Sequence, residues 1–187
     1  STRLCPRGHP RRRDPEVLAK WILLIGCSMA GPESPKVKGE RMQLQNETVL
    51  SRWFEQRGWS RSEVLSRLGQ PEPEAGTYGK LTGLEAFQSE RVHPGTFFFK
   101  ADKLVLLYIS GDAVEDLDPV VLRSTLGEPD LNLRSRAGKT FRHRVWAGGG
   151  LAISDDGEEL AFVEVFPPMS AAEWQAQYHV EPPAFLK

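Results

Sequence analysis

Five basic residues, Arg134, Arg136, Lys139, Arg142 and Arg144, fall within eleven positions with no acid among them. Such a cluster suits a phosphate or an acidic partner. If the segment is a strand, alternation puts Arg142, Arg144 and Trp146 on one face and Phe141, His143 and Val145 on the other. The plainer reading is a solvated strand face paired with nearby Asp and Glu. Other reactive residue types do not assemble. His93 precedes Pro94 in a loop, and His143 sits between two arginines. Asp155-Asp156-Gly157-Glu158 lacks the alternating acids of a calcium loop and reads as a hairpin turn. Gly148-Gly149-Gly150 lacks the Lys-Ser/Thr of a phosphate loop. Cys5 and His9 make half of a metal site, and Ser62 and Ser66 have no nucleophile motif around them. The expectation is no catalytic residue, no cofactor and no metal.

A second candidate is apolar. In two β-rich stretches, Val105, Leu107 and Ile109 match Ala161, Val163 and Val165, a set expected to lie against helices. The opposite face would carry Leu104, Leu106 and Tyr108 with Leu160, Phe162, Glu164 and Phe166. That is more apolar than a wet face requires, and Tyr and Phe are frequent interface anchors. Leu104, Leu106, Tyr108, Leu160, Phe162 and Phe166 are therefore the candidate partner-binding residues. The competing reading is that the chain covers this face itself, with a helix bearing Trp174 and Tyr178 or with residues 72–95.

The elements that position these residues follow from local signals. Asn46 can cap a helix with Val49, Leu50, Trp53 and Phe54 on one face, stopped at Gly58. Ser60 and Glu63 form a capping box for a second helix that ends at Gly69 and Pro71. Thr96–Lys100 and Lys103–Ile109 read as a hairpin about Ala101-Asp102, and one further strand is expected near Leu84–Phe87. Asp118-Pro119 opens a helix closed by Gly127 and Pro129. Strands follow at Thr140–Trp146, Leu151–Ser154 and Glu159–Phe166. Ser170 with Glu173 caps a last helix, which Pro182-Pro183 stops. Leu68-Gly69-Gln70-Pro71 returns as Leu126-Gly127-Glu128-Pro129 at a shift of 58, and aligning Leu104 with Leu160 gives 56. Two shifts this close argue for an internal duplication. The expected fold is α+β: an antiparallel sheet with helices packed on one face, from two tandem helix-then-hairpin units at about 45–110 and 118–166, with a C-terminal helix at about 170–179.

Residues 1–41 differ from this body. They hold nine Lys/Arg and four Asp/Glu, a net of +5 within a chain of net −1, which leaves −6 for residues 42–187. An acidic body disfavours specific nucleic-acid binding. The leader reads as disordered and basic, with Pro32–Lys38 as a linker into a domain at 42–187. Leu24-Ile25-Gly26-Cys27 has the form of a lipobox, which would lipidate Cys27; an over-extended start before Met29 or Met42 is the alternative. The expected location is cytoplasmic, or membrane-anchored through Cys27. No run of 18 apolar residues occurs. Both cysteines, Cys5 and Cys27, lie in the leader, so the body's core holds without disulfides.

The stretch Arg57-Gly58-Trp59-Ser60-Arg61-Ser62-Glu63-Val64-Leu65-Ser66-Arg67-Leu68-Gly69-Gln70-Pro71 resembles the start of domains in the SmpA/OmlA small outer-membrane lipoprotein family and in the beta-lactamase inhibitor protein family. The tandem arrangement is similar to the inhibitor, which stacks two such units into one sheet; the lipobox is similar to the lipoprotein. Members of both bind other proteins. The resemblance covers about 15 residues closely and carries over no binding residue. Together these readings point to a non-enzymatic protein-binding module, an inhibitor, immunity-type or assembly protein whose partner is another protein. A small-ligand protein or enzyme with a pocket between sheet and helices is the alternative.

Overall fold

A computed structural model describes residues 35–90 and 93–184. The chain divides into two units, Ser1–Pro35 and Lys36–Lys187, and the second holds the sheet and its helices. The readings that fall on the leader, including Cys5, His9 and lipidation at Cys27, lie outside the described residues.

Helix α1 runs from Pro35 to Arg57. It starts well before Asn46, because proline fits the first turn of a helix, where its missing N–H costs nothing. The expected linker at Pro32–Lys38 therefore runs into the helix. Asn46 is not a cap. It lies inside α1, is buried, and donates from Nδ2 to the Asp118 carbonyl at 3.3 Å. Helix α2 (Arg61–Leu68) has the expected capping box, Ser60 with Glu63, and ends at Gly69 in the left-handed conformation, φ 77°. Strands β1 (Glu74–Tyr78), β2 (Leu81–Ser89), β3 (Gly95–Lys100) and β4 (Lys103–Ser110) then form a meander. Ala101 and Asp102, φ 47° and 63°, make the tight β3–β4 turn whose backbone twist matches that of the strands it joins.

The pattern then repeats. A single helical turn, α3 (Asp112–Glu115), precedes α4 (Pro119–Leu126). Asp118 caps α4 by accepting from the Val120 and Val121 amides. Strands β5 (Leu131–Arg134), β6 (Arg142–Trp146), β7 (Leu151–Asp155) and β8 (Leu160–Val165) form a second meander, with a 3₁₀ turn at Ala147–Gly149. A shift of 58 carries Ser60 to Asp118, buried Trp59 to buried Leu117, and buried Val64 to buried Leu122. Each unit is thus helices followed by four strands rather than by a single hairpin. Helix α5 (Ala171–Gln177) closes the fold with the expected Ser170–Glu173 box.

The two meanders join into one antiparallel sheet, in the order β1-β2-β3-β4-β8-β7-β6-β5. At the seam, Leu107 pairs with Val165, Tyr108 with Glu164 and Ile109 with Val163. A shift of 56 maps Leu107 onto Val163 and Ile109 onto Val165, so the seam has an approximate twofold axis. That axis passes through the Tyr108–Glu164 pair.

Two apolar clusters sandwich the sheet. Trp53, Val64, Phe87, Phe97, Phe99, Leu107, Ile109, Leu122, Ile153, Val163 and Val165 pack beneath α1–α4. Leu106, Val145, Ala152 and Phe166 pack with Trp174 and Tyr178 of α5 and its exit on the other face. Each unit carries a register shift at the same place, between Phe98 and Phe99 and between Ser154 and Asp155. One residue of the facing strand, Val105 or Ala161, is extra. This corrects the expected faces: Leu104 and Leu160 lie in the helix-side core, while Val105 packs on the α5 side. Uninterrupted alternation, assumed from sequence, fails at a bulge.

Candidate functional site

The second face is polar at its centre. Glu164 at the seam is fully buried. Tyr78, at the end of the opposite edge strand, donates its hydroxyl to Glu164 Oε1. Arg136, from the β5–β6 loop, donates from Nη2 to the Tyr78 hydroxyl at 2.6 Å and lies 3.7 Å from Glu164 Oε1. Its guanidinium sits over the rings of Tyr78, Tyr108 and Phe162, at 4.9, 5.4 and 4.5 Å from their centroids. A residue of β1 and a loop beside β5 meet over β8, so the two edges approach each other across this face.

On the far side of the carboxylate, His143 Nε2 stands 3.4 Å from Glu164 Oε2. The imidazole is held edge-on between Phe162 and Trp174, at 5.2 and 5.1 Å. Tyr178 donates to the Val105 carbonyl at 2.9 Å and fixes the end of α5. Burial, and then the charge of Glu164, push the Tyr178 phenol up to about 12. Tyr78 is raised well above its ordinary value, first by burial and then by Glu164. Burial works against the charge of Arg136, but Tyr78 and Glu164 outweigh it, and its pKa is raised. Glu164 Oε2, His143 Nε2 and Trp174 Nε1 have no hydrogen-bond partner among the described residues. The arrangement holds one carboxylate against one permanent cation, roofed by aromatic rings and α5.

The helix-side core of the second unit is also charged. Asp155 is fully buried and pairs with Arg123 Nη1 of α4 and, at 2.8 Å, with Arg144 Nε of β6. Both arginines keep about a fifth to a quarter of their side chains exposed, 27% and 19%. They open onto a groove of about 520 Å³ lined also by Ser124, Gly127, Glu128, Pro129 and Trp146.

The basic segment therefore does not act as one cluster. Arg136 turns to the α5 side and Arg144 to the helix side, while Arg134, Lys139 and Arg142 are exposed. Alternation did place His143 and Val145 opposite Arg144 and Trp146, as expected. Of the apolar candidates, Leu106, Phe162 and Phe166 are buried on the α5 side, Leu104 and Leu160 are buried on the other, and Tyr108 is half-buried. The face expected to meet a partner is covered at its centre by Trp174 and Tyr178. Beside α5 remains a half-buried strip of Phe98, Val105 and Tyr108. A shallow recess of about 460 Å³ at its end includes Thr96, Tyr108 and Ser110.

Sequence reasoning did not assign Tyr78, Arg123, Asp155 or Glu164. The repeat held a usable signal: at a shift of 56, Asp155 falls on buried Phe99. Among the described residues no His, Cys, Asp and Glu grouping could hold a metal, and no helix is long and apolar enough to cross a membrane. No family model, curated protein or solved structure matches the chain.

Proposed function

We propose that this chain is a protein-binding module that works through the strip of the second sheet face beside α5. The observation that carries this reading is that Phe98, Val105 and Tyr108 stand half-buried on one face, with the Arg136 guanidinium against the Tyr108 ring. Arginine and aromatic side chains are the commonest binding anchors, and here ring contacts hold the arginine in place. A preordered anchor loses little side-chain entropy on binding. The likeness of Arg57–Pro71 to families whose members bind other proteins supports the same reading. The partner would approach from the strip and meet the Arg136 guanidinium, which favours a segment bearing an acid beside an apolar side chain. The proposed location is cytoplasmic, or a membrane surface if Cys27 is lipidated; the mass of the mature N-terminal peptide separates the two.

The test is site-specific photocrosslinking in the native cell, with the crosslinker at position 98, at position 105, or at exposed Val120 on the helix side. The expected result is one adduct shared by 98 and 105, absent at 120, and lost on Tyr108→Asp in a chain that keeps its near-ultraviolet circular dichroism. Adducts at 120 equal to those at 98, or none at 98 and 105, would overturn the reading.

A further inference from the structure

The groove at the end of α4 has the parts of an anion site. Arg123 and Arg144 reach it from two different elements, and one buried carboxylate, Asp155, orients both. Arg123 spends Nη1 on Asp155 and Arg144 spends Nε. Two guanidiniums against Asp155 leave one positive charge, which the exposed Glu128 opposes from the rim among the described lining residues. Trp146 forms a rigid wall, because its Nε1 donates to the Gly127 carbonyl at 3.0 Å.

The same slot in the first unit shows that folding does not demand this chemistry. At shifts of 58, 57 and 56, Arg123, Arg144 and Asp155 replace Leu65, Phe87 and Phe99, which pack in the helix-side core. Phe87 and Phe99 meet edge-to-face at 5.8 Å. Taking a carboxylate and two guanidiniums out of water is costly, and apolar residues of similar volume serve stability as well or better. We propose that Arg123 and Arg144 bind the carboxylate or phosphate of a small organic anion, with its remaining atoms in the groove. Planar guanidinium forks match both oxyanions in bidentate geometry. The volume, about 520 Å³, suits a small molecule rather than a bare ion. This site is separate from the strip beside α5 and stands or falls independently of it.

The experiment titrates the full-length chain with sodium phosphate and with sodium acetate at constant ionic strength, following the arginine Nε–H resonances by ¹H–¹⁵N NMR. The expected result is a saturable shift of the Arg123 and Arg144 signals with at least one of the two anions, and binding weakened about tenfold or more in Arg123→Leu. Saturation by phosphate alone marks a phosphate-bearing ligand, and by acetate alone a carboxylate. If Arg123→Leu loses its dispersed spectrum, Glu128→Gln serves instead and is expected to tighten binding, since it removes the opposing charge. Linear shifts without saturation overturn the proposal, as do unchanged affinity in dispersed Arg123→Leu or, where Glu128→Gln stands in, unchanged or weakened affinity there.

Discussion

The two halves of the sheet share a scaffold and differ in what fills it. In the first, the slot between the second helix and the sheet holds Leu65, Phe87 and Phe99; in the second it holds Arg123, Arg144 and Asp155. The seam shows the same contrast, since Tyr108 and Glu164 occupy equivalent places on either side of the approximate axis. The first copy thus resembles an ordinary apolar core, and the second carries buried charge on both faces of its strands. A buried ion pair is weak ground for stability, so its concentration in one copy directs attention to function there.

The comparison can be broken hardest at the seam. Glu164→Ala would leave Arg136, held against three rings, without its buried counter-charge, an expected loss of about 3–5 kcal/mol in urea denaturation. Tyr108→Phe at the equivalent place removes only a hydroxyl from a half-buried ring and is expected to cost under about 1 kcal/mol. Equal losses would erase the difference between the halves. The α5 side then gives a pH signature. Tyr178 is raised to about 12 in the folded state, so its proton is held more tightly there than in the unfolded chain. Its contribution is full below the unfolded value near 10 and is lost as pH rises through about 12, on the order of 2 kcal/mol. Alkaline denaturation of Tyr178→Phe is expected to be flatter across that window.

The caps test whether the two copies still share their ends. Ser60→Ala and Asp118→Ala are each expected to cost about 1 kcal/mol, because each leaves one or two helix-start amides unbonded. The smallest effect is expected at His93 in the first unit. Burial, then Arg67 and Arg52, hold its pKa below the ordinary 6.5. It is neutral when Gln56 Nε2 donates to Nδ1 at 2.9 Å. The unfolded chain therefore binds the proton more readily. The contribution is present above about 6.5 and is lost as pH falls through the lower folded value, so His93→Gln is expected to flatten stability between pH 7 and 5.

What was legible in the sequence was local. The Ser60 and Ser170 boxes, the Asp118 cap and the Ala101-Asp102 turn each depend on residues within four positions, and each stands where read. The repeat was legible because Leu-Gly-x-Pro marks the same helix exit twice. Strands β1 and β5 were missed because Glu74–Tyr78 and Leu131–Arg134 lack a run of β-formers and are held by pairing with β2 and β6. The faces of Leu104 and Leu160 were misplaced because a bulge leaves no mark in hydrophobic alternation. Of the charged sites only Arg136 and Arg144 were singled out, and the pairings were not legible, since Tyr78 and Glu164 lie 86 positions apart and Arg123 and Asp155 lie 32 apart. Sheet curvature and α4 packing, which no short motif encodes, bring them together.

If the charged slot of the second copy replaces an apolar slot that folds equally well, restoring the apolar residues should cost no stability. The most direct measurement is urea denaturation of Arg123→Leu/Arg144→Phe/Asp155→Phe, which installs the residues of the first copy, beside Asp155→Ala alone. The triple variant is expected to unfold at the native midpoint or higher, while Asp155→Ala, with two arginines left facing each other, loses about 3–5 kcal/mol. A triple variant as damaged as Asp155→Ala would mean that the ion triad holds the second copy together, and would contradict a functional origin for its charge.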